Sequence, residues 1–268
     1  MVQSLADRLT THAARAFVAG VYLFLLTPIL LIVVMSFNGG DFLSFPITGV
    51  SLKWYASFVR NESFMNALAT SLAIASISTV ASLAIGVPAA LYVVRHAGRW
   101  REALDLMLTA PLMLPEILTA IALLFFFYAT GLGTKTMIGL QIGHIVVTLP
   151  FVFLNVSASL YNFDRSVEQA ARGLGATPWI AFRRITLPLI KPGVIAGGLF
   201  AFIISFDLFN MSLLLKAIGT NTMPLALYDY LRWDFDPTAA AVASVSILVT
   251  FVIVLVLDRT IGLRSLRF

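Results

Sequence analysis

Six times along this chain an apolar run is long enough to cross a lipid bilayer, and that recurrence leaves few folds open. A span needs about 20 mostly apolar residues to cover ~30 Å of hydrocarbon. Residues 16–37, 64–94 and 238–257 carry no charge. Residues 106–128 carry Glu116 alone, 192–215 carry Asp207 alone, and 136–161 are uncharged but hold His144. The chain is 59% hydrophobic and 12% charged, against roughly 25% charge in a soluble domain, so its solvent is lipid. Inside lipid every backbone polar group needs an internal partner. Runs of this length then predict an all-α membrane protein with six transmembrane helices. No linker, low-complexity tract or obvious repeat divides it. The expected organisation is a single domain over residues 1–268, with a first span at about 16–37 and a core at about 64–261. The first run follows the polar residues 3–15 and exceeds the 7–15 apolar residues of a signal-peptide core, so it reads as a retained span.

Orientation follows from the cations. With the N-terminus inside, the inner set is Arg8 and Arg15; Arg95, Arg99 and Arg101; Arg165, Arg172, Arg183, Arg184 and Lys191; and Arg259, Arg264 and Arg267. The outer set is Lys53, Arg60, Lys135, Lys216 and Arg232. That is 13 against 5 of the 18 Lys and Arg. Lys and Arg gather in cytoplasmic loops, so both termini are expected in the cytoplasm. The net charge of +5 has the same origin and gives no reason to expect nucleic acid. No Cys is present, which excludes disulfides and thiolate metal sites.

The outer connections, 38–63 and 217–237, carry Trp54, Tyr55, Tyr228, Tyr230 and Trp233. These fit an interfacial belt or a docking surface for an external partner. The second run is rich in small residues, among them Ala75, Ser78, Ser82 and Gly86, which let helices approach closely in lipid. It is expected to be a packing scaffold. Pro88, Pro111, Pro115 and Pro150 lie in or beside spans, where each removes a donor and tends to kink its helix.

One polar segment interrupts this pattern, Glu168 to Gly175, between the fourth and fifth runs. Ser166 and Gln169 have the spacing of a capping box. Gly175 suits a C-terminal cap. Thr177 and Pro178 restart a helix as N-cap and N1, and Arg183 and Arg184 suit its C-terminal end. The expectation is two short helices lying across the cytoplasmic face, with Ala170 and Ala171 leaving room for a partner surface.

The segment resembles the loop of ABC importer permeases, E-A-A-x-x-x-G, then nine residues, then I-x-L-P. The matching positions are Gln169, Ala170, Ala171 and Gly175, then Ile185, Leu187 and Pro188. Gln169 stands where the motif has Glu, and Glu168 precedes it. Either Glu168 supplies the contact to the ATPase or a hydrogen bond from Gln169 replaces it. Trp54 and Tyr55 followed by Asn66 to Ser71 look like the family's entry to its second span, and Pro111 to Ile117, Ser205 to Asp207, and Met223 to Leu225 with Tyr228 look like the spermidine/putrescine permease branch, specifically its C-type subunit. That branch often has two adjacent acids where this chain has Asp207 and Leu208.

The resemblance implies a type I, binding-protein-dependent permease of the bacterial inner membrane, with a coupling helix between the fourth and fifth spans. Implied partners are two ATPase subunits, a second, non-identical permease subunit and a periplasmic substrate-binding protein. This chain binds no cofactor itself, ATP and Mg residing on the ATPase; it has no G-x-x-x-x-G-K-[ST] loop. The ATPase-coupling residues implied are Glu168, Gln169, Ala170, Ala171, Arg172, Gly175 and Pro178.

Glu116 and Asp207 are the acids deep in runs. An acid at the bilayer centre costs about 2.5–3.5 kcal/mol, so neither is expected to face lipid. Asn210, three residues past Asp207, is expected on the same helical face. Glu116, Asp207, Asn210 and Met113 are the candidate pathway residues, for a small cationic solute; a structural hydrogen bond is the competing role. His144 has no companion at metal spacing and reads as a packing residue. Two other classes compete. An intramembrane enzyme would use Ser71, Ser76 or Ser205 with His144 as base, yet no G-x-S-x-G occurs. A secondary transporter would show inverted repeats, and none is visible. Within the importer class, ferric iron, phosphonate, opine or amino-acid-like solutes are the alternatives.

Overall fold

The structure is a computed structural model that describes residues 5–132, 134–162 and 164–261. The described residues are nearly all helical, and the one extended pairing among them is a bridge between Asn38 and Val50. The helices are α1 (Leu5–Met35), α2 (Lys53–Arg60), α3 (Glu62–His96), α4 (Arg101–Met113), α5 (Glu116–Thr130), α6 (Met137–Tyr161), α7 (Arg165–Gly173), α8 (Pro178–Ala181), α9 (Leu187–Phe206), α10 (Phe209–Leu215), α11 (Met223–Leu231) and α12 (Thr238–Ile261). A π turn, Phe182–Thr186, joins α8 to α9.

Five stretches among the described residues are long and apolar enough to cross a membrane: Thr11–Met35, Glu62–His96, Met137–Tyr161, Pro178–Phe206 and Thr238–Val256. A sixth exists if Gly98–Met113 and Glu116–Thr130, bent by 106°, count as one broken span.

The third run is therefore not the continuous helix expected over 106–128. Leu114 is extended (φ −98, ψ 142) because the ring of Pro115 disfavours helical backbone in the residue before it. The fifth run also departs from expectation. Its helix begins at Pro178 and stops at Phe206 instead of running from 192 to 215. Arg183 and Arg184 thus lie inside a continuous path into α9 and do not close a separate short helix. The Leu187 N–H reaches back to the Phe182 carbonyl, a wider turn that makes room for the Pro188 ring. Asp207 closes α9, Leu208 is extended (ψ 95), and α10 starts afresh. The connections over 38–63 and 217–237 are not plain loops either, since they contain α2 and α11.

The elements form two compact units, one of residues up to Glu62 with Asp229–Leu248, the other of Ser63–Tyr228 with the remainder of α12. In the first unit, buried Asn38 is a hub. Its Oδ1 accepts from the N–H of Gly40 (3.1 Å) and of Thr48 (2.9 Å), and its carbonyl accepts from Trp54 Nε1 at 2.7 Å. Tyr55 Oη lies 2.6 Å from Ser36 Oγ. Trp54 and Tyr55 therefore fasten the chain after α1.

In the second unit, α6 and α9 pack backbone to backbone. A Cβ on Gly197 would stand 2.9 Å from Val152 Cα, and one on Gly193 would stand 2.5 Å from the Asn155 carbonyl. The small residues of α3 do pack inward: Gly86 faces Val152, and Ser82 Oγ lies 2.8 Å from Thr148 Oγ1. Small residues substitute for hydrophobic drive where lipid surrounds the bundle.

Candidate functional site

The polar segment is built by its caps. Asp164 is the N-cap of α7: its Oδ1 accepts the Ser166 N–H at 2.9 Å and its Oδ2 accepts the Ser166 hydroxyl at 2.8 Å. Both bonds favour the carboxylate and hold its pKa below the ordinary 3.8. The expected capping box at Ser166 and Gln169 is thus displaced by Asp164, two residues earlier, whose two oxygens serve the first turn together.

The C-terminus is as the sequence predicts. Gly175 sits at φ +92, the Gly175 N–H donates to Arg172 and the Ala176 N–H to Ala171. This is the paired closure of a Schellman motif, and the left-handed backbone explains why glycine stands there. Thr177 Oγ1 then accepts the Ile180 N–H at 3.3 Å, with Pro178 at the first position of α8.

Gln169, Ala170 and Arg172 are exposed, and Ala171 is half-buried. Leu174 is 90% exposed. Between α7 and α8 lies an open groove of about 490 Å³ lined by Ala171, Leu174, Gly175, Ile180, Arg184 and Ile185.

Glu168 points the other way. Arg95 Nη2 lies 2.7 Å from its Oε2, and Arg95 Nη1 donates to Oε1 at 3.2 Å. The Thr186 hydroxyl adds a bond to Oε2 at 2.9 Å. The sequence placed Arg95 only among the inner cations and gave no role to Thr186. The partners are 73 and 18 residues away, and no local pattern marks such a pairing.

The second constellation lies at the two helix breaks. Glu116 opens α5, and its Oε1 accepts the Met211 N–H of α10 at 3.1 Å. Asp207 is exposed at the end of α9, Asn210 is half-buried in the first turn of α10, and Met113 is exposed at the end of α4. Asp207 and Asn210 do not share a helical face, because the extended Leu208 lies between their helices. A cavity of about 790 Å³ lies at the Ser63 end of α3, the end away from Arg95; Lys135 and Lys216 line it and no acid does. No local sequence pattern marks it, since its lining comes from residues far apart in the chain.

His144 is 1% exposed, as a packing residue should be. Its Nδ1 lies 2.8 Å from Ser205 Oγ and its Nε2 3.2 Å from Ser212 Oγ. The Ser212 hydroxyl already donates to the Leu208 carbonyl at 2.7 Å. Both ring nitrogens are thus engaged, one by Ser205 and one by Ser212. The ring clamps α6 to α9 and α10. Ser205 is 2% exposed, so this serine–histidine contact is closed to a substrate. Among the described residues no group of three or more His, Asp or Glu is placed to hold a metal.

Residues 82–264 match a family described as "Binding-protein-dependent transport system inner membrane component". The chain is 33% identical over 230 residues to the putrescine transport system permease protein PotI of Escherichia coli (strain K12), covering 83% of this chain and 81% of that one. It is 31% identical over 239 residues to the spermidine/putrescine transport system permease protein PotC of the same strain, covering 89% and 90%. Among solved structures, it superposes with a TM-score of 0.73 at 18% identity on a chain of a bacterial alginate ABC transporter in complex with alginate pentasaccharide-bound periplasmic protein, covering 95% and 94%.

Proposed function

We propose, from the premise that this chain belongs to the family of binding-protein-dependent transport system inner membrane components, that it carries small polyamines inward through a path gated by its two broken helices. The chain is a multi-pass inner-membrane permease subunit of an ABC importer, a transport component and not an enzyme. Putrescine-like diamines are the substrate class, because the relatives at 31–33% identity are permeases for putrescine and spermidine.

In this reading six spans cross the membrane, the α4–α5 pair being one of them, and both termini lie in the cytoplasm. Helix α7 is the coupling helix. A pair of cytoplasmic ATPase subunits binds ATP and Mg, and this chain binds neither. A second, non-identical permease completes the pathway, and a periplasmic binding protein delivers the solute.

The observation that carries this is the exposed face of α7. A polar helix with defined caps and a left-handed glycine stands between two apolar spans with Gln169, Ala170 and Arg172 open to solvent. Lipid cannot satisfy such a face; water can, but it leaves Leu174 and the Ile180 and Ile185 groove beside it uncovered, and a soluble motor covers both. The nucleotide-hydrolysing subunit seats on Gln169, Ala170, Ala171 and Arg172 beside the groove, with Gly175 and Pro178 fixing the corner. When ATP draws the motor halves together, α7 moves with them. The continuous path from Pro178 to Phe206 carries that movement to the break at Asp207.

At that break, Asp207 offers a carboxylate and the last turn of α9 leaves carbonyls without helical partners. Both suit a passing ammonium group. Met113 and Asn210 flank the path, and Glu116 shapes it through α10.

Co-purification of a nucleotide-hydrolysing subunit, followed by putrescine uptake into proteoliposomes holding the whole complex, tests the reading. ATP-dependent uptake of putrescine, lost in Asp207→Asn, is expected. A complex that takes up an anion such as molybdate but not putrescine overturns the substrate class. Absence of the ATPase from the purified complex overturns the importer mechanism itself.

A further inference from the structure

We propose that Arg95, at the end of α3, is a positioning residue for coupling, because it holds Glu168 so that α7, α3 and the start of α9 move as one body. The inference rests on the reading of α7 as the coupling helix and deepens it. The Arg95 guanidinium meets both oxygens of Glu168, at 2.7 Å and 3.2 Å. Thr186, in the π turn that leads into α9, completes the carboxylate at 2.9 Å. One side chain of α7 is thereby fixed to two membrane-spanning helices.

Arg165, one turn earlier on α7, adds a bond to the Val94 carbonyl at 3.2 Å. The Arg95 and Glu168 side chains are only 14% and 17% exposed, so salt screens the pair less than a surface one, and removing one partner strands a shielded charge. Both oxygens of Glu168 are occupied within the chain. The contact to a partner therefore falls to exposed Gln169. A motor that pushes on Gln169 moves α3 and α9 only while Glu168 stays clasped; without the clasp, α7 rocks on its own caps.

The test uses the whole complex in proteoliposomes with the loaded periplasmic protein. Arg95→Gln and Glu168→Gln should keep membrane abundance and the ATPase subunit, and should still hydrolyse ATP. Uptake per ATP hydrolysed should fall roughly tenfold, equivalent to about 1.4 kcal/mol. Arg95→Glu combined with Glu168→Arg should restore at least half of it. Because the chain has no native Cys, spin labels at Tyr92→Cys, exposed in the last turns of α3, and Gly173→Cys, exposed at the end of α7, report the spacing of the α3 end and α7. That spacing should stay fixed through the ATP cycle in the otherwise unaltered protein and vary in Arg95→Gln.

Should Arg95→Gln not reach the membrane, Thr186→Val removes only one donor and should lower uptake per ATP by a smaller factor. Unchanged uptake per ATP in Arg95→Gln, or in Thr186→Val where that variant is used, overturns the inference and leaves the importer reading standing. A charge swap no better than the single variants also overturns it. A complex without any ATPase overturns the importer reading first.

Discussion

Glu116 accepts the backbone N–H of Met211 at 3.1 Å, which ties the first residue of α5 to the first turn of α10. Each helix begins just after a break in its apolar run. An acid that the sequence left between a pathway charge and a structural hydrogen bond is, at one oxygen, the partner of a backbone donor that opens a helix.

The two roles separate by substitution. Glu116→Gln keeps a carbonyl oxygen for the Met211 N–H and loses the charge. Glu116→Ala loses both. A capping role predicts near-unchanged thermal stability in Gln, and a loss of about 0.5–2 kcal/mol in Ala. Uptake should follow the same order. Equal loss of putrescine uptake in Gln and Ala, measured in proteoliposomes, would assign the work to charge instead.

Gly175 offers a second handle. Its φ of +92 is costly for any residue with a Cβ, yet nothing lies within 4 Å of where that Cβ would stand. Gly175→Ala therefore strains only the backbone, by about 1–2 kcal/mol. Gly175→Asn should strain it less, since Asn tolerates left-handed backbone. Co-purification of the ATPase with each variant should rank Gly, then Asn, then Ala, at equal membrane abundance. Identical retention by Ala would show that the Schellman closure does not shape the docking face.

Much of this was legible in the sequence because the signals were local. Apolar runs marked the spans, and the Gly175 and Thr177–Pro178 caps were correct because a cap is written within a few residues of the turn it closes. The capping error at Ser166 is instructive, since Asp164 wins by bonding the Ser166 amide and hydroxyl together. Breaks were harder. Pro115 acted on Leu114 as local rules require, but Leu208 breaks the fifth run with no proline or glycine beside it. What holds that break includes contacts from distant residues, Glu116 to Met211 and His144 to Ser205 and Ser212. The Arg95–Glu168 pair was invisible for the same reason: a sequence shows that a charge exists and not which partner folding brings to it.

The closeness of α6 and α9 gives a stability prediction. A Cβ on Gly193 would meet the Ser159 hydroxyl, the Asn155 carbonyl at 2.5 Å and Ser159 Cβ at 2.8 Å. Backbone cannot yield as a flexible side chain does, so Gly193→Ala should cost about 1–3 kcal/mol through overpacking. Adding Ser159→Gly removes two of the three obstructions and should recover part of the loss. Gly173→Ala, with nothing within 4 Å, serves as the control. Melting temperatures in detergent should place Gly193→Ala lowest, the double variant between, and Gly173→Ala with the unaltered protein.

The Asp164 cap makes a prediction in pH. Its carboxylate accepts first from the Ser166 amide and second from the Ser166 hydroxyl, and both lower its pKa from 3.8. A group whose pKa is depressed on folding contributes stability above its unfolded value and loses it as pH falls through the folded one. The α7 cap is therefore intact at neutral pH, and this group adds no pH dependence to transport between about pH 6 and 8. The carbon-13 signal of the Asp164 carboxyl should titrate with a midpoint below 3.8 in the unaltered protein. Ser166→Ala removes the hydroxyl and spares the amide, so the midpoint should rise toward 3.8 without reaching it. A midpoint unmoved by Ser166→Ala would mean that the hydroxyl contributes nothing, and one at or above 3.8 would mean that the amide bond is lost as well.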